Sequence, residues 1–170
     1  MCQLVDLPRP AYLRLTRDPS PVIFDESYDL EIGKGIFLRE GRDVAIISTG
    51  VQTTRCLEAC DTLESQGIHP LLLHLPTLKP IDQGAIIRAA RETGRVVTAE
   101  DHSVIGGLGG AVAEVLGECY PTPVKRVGIG DVFGESAPNE PLLEKYGLTS
   151  SHVVAAVKEQ ISKSYNTLYE

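Results

Sequence analysis

Val96-Val97-Thr98-Ala99-Glu100-Asp101-His102-Ser103-Val104-Ile105-Gly106-Gly107-Leu108-Gly109-Gly110-Ala111-Val112-Ala113-Glu114-Val115 reads as a buried strand, an acidic turn bearing a histidine, a glycine cluster and an amphipathic helix. A strand that passes through a tight turn into a helix is the repeating unit of an open α/β sheet. Such sheets meet ligands or partners at the carboxyl ends of their strands, which is where this turn falls.

The same alternation extends in both directions. Val44-Ala45-Ile46-Ile47-Ser48-Thr49 is a nearly continuous apolar run, suited to burial on both faces of a parallel sheet. A helix is predicted from about Thr53 to Gln66, with Leu57, Cys60 and Leu63 on its apolar side and Gly67 as its stop. Leu71-Leu72-Leu73-His74-Leu75 forms the next strand. Asp82 is placed to cap a helix that runs through Arg91 and ends at Gly94. Arg95 to Glu100 is the third strand, about Gly109 to Gly117 the third helix, and Pro123 to Ile129 the fourth strand. Two helices close the chain, at about Pro141–Tyr146 and Ser150–Leu168, the latter with Val153, Val154, Val157 and Ile161 at helical spacing. Gly33 to Arg42 reads as a turn and hairpin arm. Short connections between alternating strands and helices predict a three-layer α/β/α fold around a mostly parallel five-stranded sheet.

The N-terminal segment differs. Ala11-Tyr12-Leu13-Arg14-Leu15-Thr16-Arg17 alternates apolar and polar residues like one strand, and Asp18-Pro19-Ser20-Pro21 is turn-prone. A lone strand cannot pair its own backbone groups, so this segment is expected to be an arm that docks elsewhere or the severed edge of another unit.

At 170 residues the chain fits one domain with a short appendage. A net charge of -7 argues against sequence-independent nucleic-acid binding, which needs lysines and arginines to neutralise phosphates. No apolar run is long enough to span a membrane. Residues 1–8 lack the basic start and long apolar stretch of a signal peptide, so a cytoplasmic protein is expected. Cys56 and Cys60 share one helix face and are read as small core residues, and no C-x-x-C pair occurs.

Gly107-Leu108-Gly109-Gly110 follows a strand and opens a helix, as a dinucleotide fingerprint requires, but the third fingerprint glycine would fall at Val112. The preferred reading is that Gly107 and Gly109 allow a tight turn and close helix packing. A regulatory nucleotide-binding module remains the alternative, with an anion held at the helix N-terminus. Glu100, Asp101 and His102 point in different directions on a turn, so Glu100 and His102 are read as interface or loop contacts rather than an acid-base pair. Phe133, in Asp131-Val132-Phe133-Gly134-Glu135-Ser136, suits either a contact surface or a loop packed on its own domain. Arg17, with Thr16, could grip an anionic group through its guanidinium fork. His69, His74 and His152 show no metal-ligand spacing, and no nucleophile-base order is present, so neither a catalytic residue nor a metal site is assigned.

Read together, these segments resemble the C-terminal portion of a transketolase. The resemblance rests on 11–17, Gly41-Arg42-Asp43 through Gly50, Leu78-Lys79-Pro80-Ile81-Asp82, Val97 through Gly110, 131–136 and Leu143-Glu144-Lys145-Tyr146-Gly147-Leu148, in family order over nearly the whole chain. It implies two-carbon ketol transfer between sugar phosphates, using thiamine diphosphate and a divalent cation held by two other domains across a dimer interface. It also implies that residues 1–28 are the last strand of the pyrimidine-binding domain with its linker, and that 29–170 are the C-terminal domain. Arg17 then matches the arginine that contacts the substrate's terminal phosphate. The Gly-Asp-Gly metal signature and the catalytic glutamate of the family are not in this sequence. The chain alone is therefore expected to bind no cofactor, to be inactive, and to need the missing diphosphate- and pyrimidine-binding domains or subunit, with a homodimer as the expected assembly. The equivalent domain of deoxyxylulose phosphate synthase or of a 2-oxo acid dehydrogenase beta subunit would share the same sheet and glycine turn, and a pure oligomerisation module is a further alternative.

Overall fold

A computed structural model of the protein describes residues 2–17, 19–26 and 28–163. In chain order it contains α1 (Cys2–Val5), β1 (Ile36–Arg39), β2 (Val44–Ser48), α2 (Gln52–Glu64), β3 (Pro70–His74), α3 (Gln83–Thr93), β4 (Val96–Ser103), α4 (Leu108–Cys119), β5 (Val124–Ile129), α5 (Asn139–Lys145) and α6 (Ser150–Ser162). The part of the last expected helix from Ser164 to Leu168 lies outside the described residues.

The five strands form one sheet in the order β1-β3-β2-β4-β5, parallel except for β1. Alternation along the strands sorts the core into two layers. Ala45, Ile47, Leu71, Leu73 and Val96 pack against α3 and α4 through Ile86, Ala89, Leu108, Val112 and Leu116. Val44, Ile46, Leu72, Val97, Ala99 and Val127 pack against α2 and α6 through Cys56, Cys60, Leu63, Val153 and Val157. Cys56 and Cys60 are buried, as their spacing suggested.

The ends of α3 fall where its caps demand them, whereas α2 ends at Glu64, short of the Gln66 expected. Asp82 Oδ1 accepts from the Ala85 amide at 2.9 Å, and Gly94 closes α3 in the left-handed conformation with φ 69°. Asp82 Oδ2 also accepts from the Gly35 amide at 3.0 Å, so one carboxylate holds both the helix and the approach to β1. Asp82→Ala removes both acceptors and is expected to cost about 2 kcal/mol in urea unfolding, with Asp82→Asn recovering part of it.

Two expectations are corrected. The hairpin arm at 33–42 does form a strand, but β1 pairs antiparallel with β3, Ile36 opposite His74. Both edges of β2 are already taken by β3 and β4, so β1 does not pair with its neighbour in sequence and takes the outer edge of β3 instead. The strand expected over 11–17 does not form; those residues are irregular and exposed. Their backbone finds no strand alongside among the described residues, and an extended segment without a partner has no ladder to hold it. No helix among the described residues is long and apolar enough to cross a membrane.

Candidate functional site

From β2 the chain moves to β3 on one side and to β4 on the other, so the strand order reverses at β2. Open α/β sheets bind ligands in the crevice outside such a point. Here that crevice is filled by the chain's own groups. Thr49 Oγ1 donates to the Leu75 carbonyl at 2.7 Å, and Gln52 Nε2, fully buried, donates to the Leu148 carbonyl at 2.7 Å.

At the β4–α4 junction Glu100 turns inward. It is 0% exposed, and its two carboxylate oxygens accept from the amides of Leu108 at 2.6 Å and Gly109 at 2.8 Å. The positive end of α4, where an anion would bind, thus carries an internal carboxylate. Glu100 is therefore no surface contact within this chain. The turn reading began three residues too early: β4 continues past Glu100 to Ser103, and alternation puts Glu100 on the same face as Val96 and Thr98. Gly107 must lack a side chain, because a Cβ there would land on Glu100 Oε2. A Cβ on Gly109 would meet Arg126 Cδ at 2.7 Å and Thr98 Oγ1 at 2.8 Å. Both glycines are thus explained by close approach, the preferred reading. The nucleotide alternative loses its anion position to Glu100.

His102 is half-buried beside this junction. Burial, and after it the nearby Arg14 guanidinium, hold its imidazole below the ordinary value. Arg14 Nη1 donates to the Asp101 carbonyl at 2.9 Å, which brings the N-terminal arm to the carboxyl end of β4. Further along the arm, Arg17 lines an open hollow of about 300 Å³ with Ala137, Pro138, Asn139 and Leu142. Phe133 is 97% exposed on a loop whose backbone is pinned from behind. Lys145 Nζ bridges Glu135 at 2.6 Å, and the Tyr146 hydroxyl donates to the Phe133 carbonyl at 3.4 Å. Val132, Ile105, Tyr12 and Leu15 are exposed as well. The structure thus brings Arg17 to the loop that follows Phe133, and sets Glu100, Gly107 and Gly109 apart as internal framework.

A buried polar chain escaped the sequence reading. Ser48 Oγ meets Thr53 Oγ1 at 2.9 Å, and Thr53 Oγ1 meets His74 Nδ1 at 2.8 Å, under the Phe24 ring. Burial lowers the His74 pKa from 6.5 to about 4. The unfolded chain therefore takes up the proton first. His74 contributes nothing adverse above about pH 6.5, and stability falls as the pH drops from there toward 4, by on the order of 3 kcal/mol. Urea midpoints at pH 7 and pH 4.5 are expected to show that loss, with a shallower pH slope in His74→Gln.

Among the described residues no group of three or more His, Cys, Asp or Glu is arranged to hold a metal ion. A profile of the family described as transketolase, C-terminal domain, matches residues 33–153. The 6-deoxy-6-sulfo-D-fructose transketolase subunit SqwH of Clostridium sp. is 47% identical over 150 residues, covering 88% of this chain and 47% of that protein. The 1-deoxy-D-xylulose-5-phosphate synthase of Heliobacterium modesticaldum is 40% identical over 136 residues, covering 79% of this chain and 21% of that protein. A solved structure described as a split gene transketolase, inactive beta4 tetramer, superposes with TM-score 0.83 at 52% identity, covering 86% of this chain and 48% of that one. The chain spans about half, or less, of the length of the relatives it matches.

Proposed function

The chain belongs to the transketolase family through its C-terminal domain, and from that premise we propose that it is the scaffold lobe of a ketol transferase whose chemistry is housed in a complementing half. The observation that carries this is Glu100 seated at the N-terminus of α4. The N-terminus of α4 does not fit the diphosphate of thiamine diphosphate: its Leu108 and Gly109 amides already donate to Glu100, whose side chain is fully buried. Catalysis also needs reacting groups held in one productive geometry, and no such constellation is assigned here.

What the lobe offers instead is surface. Residues 1–28 are the arm and linker that complete the neighbouring domain, and the alternating run 11–17 finds its missing strand partner there. Phe133, Val132 and Ile105 then dock against that neighbour at the carboxyl end of the sheet. Arg17 contributes one contact to the terminal phosphate of the sugar. Self-association of the lobe is part of this reading, supported by the solved relative described as a beta4 tetramer.

Complementation tests it. The chain is purified, mixed with a half that carries the diphosphate- and pyrimidine-binding domains, and offered xylulose phosphate or pyruvate as donor in the presence of thiamine diphosphate and magnesium. Turnover of the ketose phosphate by the mixture, and by neither half alone, is the expected result. Preference for pyruvate would favour the synthase branch represented by the Heliobacterium relative. Turnover by this chain unaided would contradict the proposal.

A further inference from the structure

The arm carries two arginines in different settings. Arg14 is held by the domain through its bond to the Asp101 carbonyl. That carbonyl is a firm anchor. The residue before it, Glu100, is fully buried and bonded to two amides of α4, and the strand beyond it continues to Ser103. Arg17 stands three residues further on, at the hollow lined by Ala137, Pro138, Asn139 and Leu142. Three residues span at most about 10 Å, so the point where Arg14 is fixed limits where the Arg17 guanidinium can stand.

We infer that Arg14 is a positioning residue. By clamping the arm to the Asp101 carbonyl it sets Arg17 at the hollow, and so sets the preference for a phosphorylated ketose over one without the phosphate. This rests on the phosphate role proposed for Arg17. It assigns Arg14 no contact with substrate. The clamp is exposed, so its loss leaves global stability near that of the wild type. A mere surface arginine would share that behaviour, but it would change neither the order of the arm nor the choice of substrate.

The test has two arms. In the isolated 15N-labelled chain, the heteronuclear NOE at Leu13 and Leu15 is compared in wild type, Arg14→Gln and Arg14→Lys. Arg14→Gln is expected to lower it, and Arg14→Lys, which keeps a donor, to restore part of it. In the complemented enzyme, Arg14→Gln is expected to raise KM for the ketose phosphate about tenfold, with kcat within about twofold and KM for the unphosphorylated ketose unchanged. Adding Arg14→Gln to an Arg17→Gln background is expected to change little more. An unchanged NOE overturns the clamp. A lowered NOE with equal losses for both substrates, or none for either, overturns the positioning role. If the wild-type mixture shows no turnover, the functional reading fails and the substrate preference falls with it, while the NOE still decides the clamp.

Discussion

Gly107→Ala is expected to destabilise the chain by on the order of 3–5 kcal/mol in urea unfolding. Alanine in place of glycine at a helix N-cap ordinarily costs far less, so the effect comes from what the new Cβ meets. It would overlap Glu100 Oε2, with Glu100 Cδ at 2.8 Å and the Ser103 carbonyl at 2.7 Å. None of these has somewhere to go. Glu100 is fully buried, and moving it strands a carboxylate and two amides, those of Leu108 and Gly109, without partners. The cause can be separated from a general dislike of side chains in the turn. Glu100→Ala removes the steric target, so Gly107→Ala should cost much less in that background, a coupling that a double-mutant cycle reads directly. Gly107→Ala within about 1 kcal/mol of wild type would show that the cap yields easily.

Arg17→Gln should leave that stability untouched and instead change catalysis by the complemented enzyme. Arg17 is exposed, and Asn139 is the polar neighbour with which it shares the hollow. If its guanidinium grips the terminal phosphate, KM for ketose phosphates rises about 100-fold, the loss of a charge-assisted bidentate contact. The value for an unphosphorylated ketose stays near wild type. Equal losses with both substrates would assign Arg17 to docking of the arm rather than to the phosphate.

The sheet was legible because its signals are local. Val44–Ser48 and Pro70–His74 are buried at every position, and Asp82 and Gly94 mark the two ends of α3 by side-chain and backbone chemistry that needs no tertiary context. What could not be read depends on long-range pairing. β1 pairs with β3 because β2 has no free edge, a fact of topology rather than of composition. The run 11–17 has the alternation of a strand, but alternation records a preference for pairing and cannot supply the partner. At the candidate site, Glu100 was within reach: counting by twos from Val96 places it on the face that α3 and α4 cover. The polar neighbours Asp101 and His102 obscured that by suggesting a turn. The Arg14–Asp101 clamp joins residues 87 apart, and nothing in either segment announces the other. His74 sits at the end of an apolar run, where a buried histidine and an exposed one look alike until Thr53 is seen beneath it.

Where the cofactor chemistry resides can be decided by calorimetry. Thiamine diphosphate with magnesium is titrated into the purified chain, and then into its mixture with the complementing half. With the cofactor groups proposed for the complementing half, and the α4 N-terminus of this chain already occupied by Glu100, the chain alone is expected to give no saturable heat and the mixture to saturate. Saturable binding in the micromolar range by the chain alone would contradict it.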